Sequence, residues 1–376
     1  MTVRQDKERS TWYFVVDAPG VGGKRHQVRR RGFPTKKAAQ VAERELLATV
    51  DSGRFVRQAR GTLGEYLVDT WLPSRHDLRA STRLGYEKII HTRIIPRIGD
   101  LRLVALDAAT LEAFYGELIG SGGVGGKGLS WKTVSNVAGV LSIALADAVR
   151  LRTLPHNVAN DARVPRGKRP ELMPWTEDEA ATFLASVADD RVFALWRLVL
   201  STGMRRGELC GLRWQDVDLD AGTVTVASTR VVARLVVTGP PKTTSGERVV
   251  ALDADTVRAL RSWRRQQASE RLAAGEVWHD SGLVFVDELG LPPHPETVTR
   301  WWREAIERAG VRPIRLHDAR HTAATVLLRA GVPVKVVSQR LGHADVAVTM
   351  RIYQHVTAQD DQAAADAIAA AFDRKV

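Results

Sequence analysis

The sequence is poor in cysteine and in long hydrophobic runs. Its single cysteine, Cys210, excludes an internal disulfide and any zinc site built from several cysteines. No uninterrupted apolar stretch approaches the roughly 18 residues that a membrane-spanning helix needs, and residues 1–10 are too charged to resemble a signal peptide. The sequence shows no internal repeat. We therefore expect a soluble, cytoplasmic protein without a membrane partner.

Acidic residues are fewer than basic ones. Against 55 Lys and Arg there are 43 Asp and Glu, which gives a net charge of +12 and a pI near 10.2. A basic surface of this size indicates a polyanionic partner, and nucleic acid is the most common one for a soluble protein. The 376 residues, 44% of them hydrophobic, are enough for two or three domains.

The first 60 residues carry most of the excess charge, with 14 Lys and Arg against 6 Asp and Glu. Residues 11–17 are aromatic and β-branched and predict a strand, residues 24–31 predict a very basic second strand, and Thr35 is a suitable N-cap for a helix. This segment is either a solvated charged surface or a DNA-contacting sheet. Its candidate DNA-binding residues are Lys24, Arg25, Arg29, Arg30, Arg31, Lys36 and Lys37.

Residues 61–165 predict an all-α domain. Apolar residues recur there at helical spacing in four stretches, namely 63–72, 81–95, 107–118 and 131–151. The glycine-rich residues 120–128 predict a flexible connection, because they lack the Lys-Ser/Thr pair of a nucleotide-binding loop. Residues 155–174 predict an extended basic linker.

From residue 166 onward the pattern is mixed. Thr176 and Glu179 form a capping-box signature for a first helix. Strands are predicted at 222–226, 231–237 and 248–252, and helices at 192–202, from 205, and at 254–274, 297–309, 317–330, 334–341 and 359–372. The predicted fold class is multidomain α+β. Its parts are a small basic β-sheet-plus-helix domain (1–60), an all-α domain (61–165) and a mixed α/β domain with a tail helix (166–376).

Four short stretches of the last domain contain the candidate chemistry. They are TGMRRGELCGL (202–212), PKTTSGERV (241–249), LHDARHT (316–322) and LGHADVAVTMRIYQH (341–355). His317 and Arg320 are three residues apart and therefore lie on one helix face. Arg205 and Arg320 can clamp one phosphodiester, because a planar guanidinium matches a pair of phosphate oxygens. Two guanidiniums and a histidine would then stabilise the charge that develops when the diester is attacked.

Tyr353 is the candidate nucleophile in this set. A tyrosine hydroxyl has a pKa of about 10, so it needs a base and nearby cations to become reactive at neutral pH. Lys242, in a predicted mobile turn, is suited to protonate the leaving 5′ oxygen. This chemistry requires no metal, and the sequence has no acidic cluster to hold one. Each residue alone has a structural alternative, since such arginines and lysines are usually solvated and a tyrosine is usually half buried.

A zinc site is the main alternative for the two neighbouring histidines. His317 and His321 are four residues apart with Asp318 between them, which faintly resembles a zinc protease signature. That signature has glutamate in place of Asp318, and the sequence suggests no third ligand. Arg320 would also place a fixed cation beside the metal. We therefore expect no metal here.

In this ordered set the chain resembles the tyrosine recombinase (phage integrase) family. The six active-site positions of the family correspond in order to Arg205, Lys242, His317, Arg320, His343 and Tyr353. The resemblance implies a 3′-phosphotyrosyl intermediate with Tyr353 as the nucleophile and no cofactor. It also implies that Arg205, Arg320 and His343 bind and stabilise the scissile phosphate.

The remaining roles also follow from the resemblance. Lys242 would be the general acid, and His317 a proton acceptor. Glu208 matches the acidic position that supports the site in the family. Arg206 directly follows Arg205, so the choice of Arg205 rests on alignment to the preceding Thr-Gly pair.

The resemblance extends to the first two domains. Residues 62–165 look like the helical core-binding domain, and residues 1–57 look like the arm-binding domain of temperate-phage and integrative-element integrases. The implied partners are double-stranded DNA with core-type and arm-type attachment sites, three further copies of the chain in a homotetramer, a host DNA-bending protein and an excisionase. Such a protein would be associated with the nucleoid. Residues 359–372 would either dock on a neighbouring subunit or form a frayed tail helix.

Two other functions remain open at this stage. A DNA-bound regulator that no longer cuts would bind without forming a covalent bond. A type IB topoisomerase-like enzyme would share the chemistry but relax DNA without sequence choice, and it would not need a separate arm-like segment.

Overall fold

The computed structural model describes residues 3–19, 25–51, 61–168, 173–232, 235–239, 246–347, 349–350 and 372. Backbone contacts divide the chain into two compact units, Met1–Arg169 and Pro170–Val376. Within the first unit, the buried hydrophobic residues form two separate clusters, one drawn from residues 14–46 and one from residues 63–162. The mixture of small sheet, helical bundle and mixed domain confirms the predicted fold class.

The first unit begins with an antiparallel sheet and one helix. Strands β1 (Arg4–Asp6), β2 (Thr11–Pro19) and β3 (Arg25–Phe33) lie in that order, and β2 pairs with both neighbours. Helix α1 (Lys36–Asp51) follows, capped by Thr35 as predicted, with the Ala38 N–H donating to its hydroxyl at 3.1 Å. Alternate residues of β2 point into the core, which is why an aromatic and β-branched run predicted this strand.

Residues 61–168 form four helices, in agreement with the apolar spacing. The helices are α2 (63–74), α3 (80–98), α4 (Ala108–Ser121) and α5 (Trp131–Arg150). Thr62, Asp107 and Ser130 cap α2, α4 and α5, because each side chain accepts a hydrogen bond from the backbone N–H three residues later.

Helices α2 and α3 each contain a π-helical turn, at Tyr66–Trp71 and Ile90–Ile94. Each turn is followed closely by a proline, Pro73 in α2 and Pro96 in α3. Proline lacks an N–H and its ring crowds the carbonyl four residues earlier. The wider π turn accommodates that ring without ending the helix.

Helix α5 is long and apolar enough to cross a membrane by length and composition alone. In the structure it is the central core helix of the helical bundle. Its buried residues are Val134, Val137, Ala138, Val140, Leu141, Ala144, Leu145 and Ala148. The apolar character of α5 therefore reflects burial within the protein.

The prediction of an extended basic linker at 155–174 is wrong for the first half of this range. The Asn157 side chain donates to the Ser142 carbonyl of α5 at 3.0 Å, and residues 158–160 form a short 3₁₀ helix. Val158 and Val164 pack against the helical core. The prolines and charges of this stretch indicated an extended chain, but its few apolar residues are enough to bind it to α5.

The second unit contains two small sheets and seven α-helices of six or more residues among its described residues. Strands β4 (Val217–Asp218), β5 (Thr223–Val226) and β8 (Arg248–Ala251) form an antiparallel sheet in the order β4-β5-β8, and β6 (Thr229–Val232) pairs with β7 (Val236–Gly239). The helices are α6 (Glu177–Ser186), α7 (Phe193–Thr202), α8 (Arg206–Gly211), α9 (Ala254–Ala274), α10 (Pro295–Ala309), α11 (Leu316–Arg329) and α12 (Val334–Leu341).

The prediction of one strand at 231–237 is wrong. The chain reverses within this range, so that Val231 pairs with Val237 and Val232 with Val236 in a hairpin. Valines on both sides of the reversal favour strand structure equally. Composition therefore predicted the strands and missed the turn between them.

Four aromatic side chains form the centre of the second unit. Trp175, Phe183, Trp196 and Trp302 are fully buried, and Trp302 lies 4.9 to 5.4 Å, ring to ring, from the other three. The backbone N–H of Trp175 donates to the Thr322 hydroxyl of α11 at 3.1 Å. This core fixes α7 against α11, and the ends of these helices carry the candidate site.

Candidate active site

The adjacent residues Arg205 and Arg206 point to different partners. Arg205 precedes α8, and its Nη1 donates to Glu208 Oε1 and its Nη2 to the Gly342 carbonyl, both at 2.7 Å. Arg206 begins α8, and its Nη1 donates to Glu296 Oε1 at 3.0 Å. Arg205 therefore joins the cluster that also contains Gly342, while Arg206 forms a more exposed ion pair with α10.

Arg320 is almost completely enclosed, with 2% of its surface exposed. Its Nη1 donates to the Gly203 carbonyl at 2.8 Å, and its Nη2 donates to the Leu341 carbonyl. Gly203 is the left-handed C-cap of α7, with φ 64°, and Leu341 is the last residue of α12. Two helix C-termini, which carry partial negative charge, therefore hold this buried cation.

Three successive carbonyl oxygens at the end of α12, those of residues 340–342, form what we call the carbonyl triplet. They accept hydrogen bonds, in chain order, from Arg248, Arg320 and Arg205. The three arginines come from strand β8, from helix α11 and from the residue before α8. One short piece of backbone therefore aligns guanidiniums from three separate elements.

Glu208 is the one carboxylate hydrogen-bonded to these arginines among the described residues, and it is 3% exposed. Arg205 Nη1 contacts its Oε1 at 2.7 Å, and Arg248 Nη2 contacts its Oε2 at 3.0 Å. Burial opposes ionisation of Glu208, but the hydrogen bonds from Arg248 and Arg205 outweigh it and hold the pKa below its usual range. Glu208 is therefore an ionised bridge between the two arginines.

The electrostatics of the cluster favour an anion. Burial, and then the charge of Arg205, lower the pKa of Arg320 to about 9. The side chain of Arg205 is still 38% exposed, so one of the two guanidiniums can be approached from solvent. An anion bound between Arg205 and Arg320 would relieve their repulsion.

His317 and His321 lie on one face of α11 and contact each other edge to face, with ring centroids 5.4 Å apart. Burial, followed by the charge of Arg320, lowers the pKa of His317. Burial lowers the pKa of His321 to about 4, and the electrostatic interaction with His317 contributes next. The Nδ1 of His321 is buried without a hydrogen-bond partner among the described residues. Both rings are therefore neutral at pH 7.

His343 directly follows the carbonyl triplet. Its Nδ1 is 2.7 Å from the Thr349 hydroxyl, and Thr349 is fully buried. Burial, followed by the charges of Arg320 and Arg205, lowers the pKa of His343 to about 3. The ring is thus a neutral donor or acceptor beside two cations.

The structure brings together four of the six predicted catalytic positions. They are Arg205, His317, Arg320 and His343, with Glu208 beneath them. Lys242 and Tyr353 lie outside the described residues. The catalytic roles of all six residues stay predictions.

The predicted DNA-binding residues of the first unit are exposed wherever their side chains are described. Arg29 stacks over the Tyr13 ring at 4.4 Å, and the Lys36 ammonium lies 5.9 Å from the Trp12 ring centre. The other exposed members are Arg30, Arg31 and Lys37. Lys24 and the side chain of Arg25 lie outside the description, and contact with DNA stays a prediction.

Sequence reasoning missed Arg248 and Thr349. Arg248 opens an ordinary β-strand, and its charge looked like one more exposed base of a basic protein. Thr349 sits among small apolar residues before Tyr353. Arg248 has no local signal, because its partner Glu208 is distant in sequence. Thr349 has none because its contact with His343 depends on how the chain between them folds.

Comparison with known domain families assigns all three parts of the chain. Residues 175–360 match the phage integrase family, residues 2–50 match an arm DNA-binding domain, and residues 62–119 match the N-terminal SAM-like domain of phage integrases. These matches follow the order of the fold: sheet with one helix, helical bundle, mixed domain.

Whole-chain comparisons give the same result. The tyrosine recombinase XerC-like protein of Caldanaerobacter subterraneus subsp. tengcongensis is 28% identical over 348 residues, with 86% of each chain covered. Tyrosine recombinase XerC of Xylella fastidiosa (strain 9a5c) is 31% identical over 262 residues, covering 68% of this chain and 79% of that one. The solved Tn1549 transposon integrase in complex with a circular intermediate DNA shares the fold, with a TM-score of 0.68 and 20% identity over 82% of this chain and 99% of that one.

Proposed function

This chain belongs to the phage integrase family of tyrosine recombinases, and on that premise we propose that it cuts and rejoins duplex DNA at specific sites through a 3′-phosphotyrosyl bond to Tyr353. The observation that carries the proposal is the anchoring of Arg205 and Arg320 on neighbouring carbonyls of one helix end. Both guanidiniums keep their charge there. They are therefore prepared for a phosphodiester, whose negative charge grows on its oxygens during attack.

In the proposed reaction, the Tyr353 oxygen attacks the phosphorus atom and the bond to the 5′ oxygen breaks. The tyrosine proton goes to a base, for which His317 is suited because its lowered pKa keeps it neutral. Lys242 gives a proton to the departing 5′ oxygen. Attack by a second 5′ hydroxyl reverses these steps and reseals the strand.

His343 would complete the phosphate site as a neutral hydrogen-bond donor. If the Thr349 hydroxyl donates to Nδ1 across their 2.7 Å contact, the ring proton resides on Nε2 and can point to a phosphate oxygen. Because a phosphotyrosine conserves the energy of the broken diester, the exchange needs neither a nucleotide cofactor nor, in this proposal, a metal.

At the level of the cell, we place the protein in the nucleoid as the integrase of a mobile element. The basic sheet of the first unit would bind arm-type sites, and the helical bundle and the second unit would each bind DNA of the crossover site. Four copies would exchange strands, with a host DNA-bending protein assisting and an excisionase setting direction. The support for this part is the arm DNA-binding match at residues 2–50 and the exposed basic side chains of β3.

The test is capture of the covalent intermediate. Purified protein is mixed with nicked duplexes taken from DNA that flanks its own gene, and the products are separated on denaturing gels. We expect a shifted, protease-sensitive DNA band that disappears in Tyr353→Phe, while DNA binding is retained, because only the nucleophilic hydroxyl is lost.

Tyr86→Phe is the matched control. Tyr86 stacks on Trp71 in the helical bundle, so the same loss of a hydroxyl there should leave the band unchanged. Recombination by Tyr353→Phe would overturn the assignment of the nucleophile. Specific binding without any band would favour a regulator, and relaxation of arbitrary plasmid DNA by the monomer would favour a topoisomerase.

A further inference from the structure

Arg248 is an arginine of the site without an assigned role. It begins strand β8, and its side chain is 7% exposed. Its Nε donates to the first carbonyl of the triplet, that of Arg340, at 2.6 Å. Its two Nη atoms donate to the two oxygens of Glu208 at 3.3 and 3.0 Å, and Nη1 also donates to Gly246 at 3.0 Å.

These contacts differ from those of Arg205. A guanidinium has five N–H groups, and Arg248 donates four hydrogen bonds to protein acceptors. Arg205 donates to Glu208 and Gly342 and keeps more of its fork free, with 38% of its side chain exposed. Arg248 therefore has little capacity left for a phosphate, and its position within the protein argues against contact with DNA.

Arg248 instead connects the two supports of Arg205. One support is Glu208, whose two carboxylate oxygens both accept from Arg248, while Oε1 also accepts from Arg205. The other is the carbonyl triplet at the end of α12, which Arg248 binds two residues before the carbonyl that orients Arg205. Without Arg248, the carboxylate and the helix end would be joined, among the described residues, through Arg205 itself, which would then lack an independent support.

We propose that Arg248 is a positioning residue that fixes Glu208 against the carbonyl triplet and so sets the direction in which Arg205 meets the scissile phosphate. The inference rests on the proposed function, since it assigns a role within the same cleavage site. It adds a residue of strand β8 to a site otherwise built from helix ends.

The experiment measures adduct formation by Arg248→Gln and Arg248→Lys on the nicked duplex, with protein in excess so that all DNA is bound. We expect Arg248→Gln to slow adduct formation about 10- to 100-fold, by analogy with the loss measured when a group that orients a metal ligand is removed, with DNA affinity within about twofold. Arg248→Lys should recover part of the rate, because an ammonium keeps the charge but cannot span both supports.

A double-mutant cycle with Glu208→Gln separates positioning from general support of the fold. If Arg248 acts through Glu208, then Arg248→Gln should cost far less in the Glu208→Gln background than in the wild-type background. An effect of Arg248 that is independent of Glu208 predicts that the two losses multiply. Melting curves of all four proteins show whether each is folded at the assay temperature, and Arg248→Lys serves in the cycle if Arg248→Gln is not.

Arg271→Gln is the matched control, since Arg271 is 59% exposed and pairs with Asp280 on the surface. Its adduct rate should equal that of the wild type. Unchanged rates in both Arg248 variants, or losses that multiply with Glu208→Gln, would overturn the inference and leave the proposed function intact. If the wild type and Arg271→Gln also gave no adduct, the proposed function itself would fail.

Discussion

At the level of single residues, the positive charge of the site is only partly neutralised. Arg320 donates to the carbonyls of Gly203 and Leu341, which orient a guanidinium without cancelling its charge. Arg205 shares the carboxylate of Glu208 with a second arginine. Three guanidiniums facing one carboxylate leave two positive charges for an anion, and the fold holds that excess in place before DNA arrives.

The buried histidines make stability depend on pH. Folding lowers the pKa of His321 from 6.5 to about 4. Above pH 6.5 the ring is neutral in both states, and the unfolding free energy does not change on its account. Between pH 6.5 and about 4 the unfolded chain binds a proton that the folded chain does not, so the unfolding free energy falls as pH falls.

We therefore expect His321→Gln to flatten this dependence. The slope of unfolding free energy against pH between 6.5 and 4 should decrease by up to about 1.4 kcal/mol per pH unit, the equivalent of one proton. The measurement is urea unfolding at a series of pH values. His279→Gln, at an exposed histidine, should keep the wild-type slope, and an unchanged slope in His321→Gln would contradict the prediction.

At the level of elements, helix ends determine the site. Gly203 ends α7 and Gly342 ends α12, both in the left-handed region, and both offer a carbonyl to an arginine. A left-handed residue turns the chain sharply out of the helix and leaves its last carbonyls open. Those carbonyls are then available to a guanidinium from another element.

Gly203 also lies against α12, and a substitution there tests this role. A Cβ at Gly203 would come within 2.4 Å of Leu341 Cδ2. We expect Gly203→Ala to lower the unfolding free energy by about 1–2 kcal/mol for the backbone conformation and by about 1–3 kcal/mol more for the overpacking. Adduct formation should also slow, because the Gly203 carbonyl holds Arg320. Urea unfolding and the adduct assay check the two effects.

Gly310 provides the control for this substitution. It ends α10 with φ 65°, and a Cβ there would meet no atom within 4 Å. Gly310→Ala should therefore show the backbone cost alone, with a normal adduct rate. Equal destabilisation by the two variants would mean that the contact with Leu341 relaxes freely.

Most elements could be predicted from the sequence because their signals are local. Thr35, Asp107 and Thr176 lie at helix starts, and each caps its helix in the structure. The hairpin within 229–239 could not be predicted, because strand propensity is alike on both sides of its turn. The packing of residues 155–164 depended on a surface of α5 that only the folded bundle presents.

The candidate site was predictable in part for the same reason. The sequence order of arginine, lysine, histidine and tyrosine indicated the candidate reacting groups, whose roles stay predictions. The carbonyl triplet could not be predicted, because every residue has a backbone carbonyl and the sequence does not show which ones bind a side chain. Arg248 and Glu208 are 40 residues apart, so their pairing is visible only after β8 has reached the end of α12.

At the level of the whole molecule, the sheet with its helix and the helical bundle of the first unit have separate hydrophobic cores. The hydrophobic cluster of residues 14–46 shares no member with the cluster of residues 63–162. Among the described residues, removal of the first sheet and helix therefore takes no member from the buried cluster of the helical bundle. This arrangement allows the proposed arm-binding role to be tested alone.

We expect deletion of residues 1–60 to spare binding to the crossover site and to abolish or cripple integration. The truncated chain keeps the helical bundle and the whole second unit, while most of the excess positive charge, +8 of +12, is lost. Gel shifts on crossover-site DNA and an integration assay with full attachment sites measure the two effects. Unchanged integration by the truncated protein would refute an arm-binding role.

The carbonyl triplet also couples the positions of guanidiniums that come from separate elements. Because residues 340–342 are consecutive, a thermal displacement of the end of α12 shifts all three acceptors by nearly the same vector. One acceptor of Arg205 and one acceptor of Arg320 therefore move together, while Glu208 and the Gly203 carbonyl hold the two guanidiniums from other elements. A displacement of the end of α12 thus reaches both guanidiniums at once, so this helix end and the candidate anion site are mechanically linked.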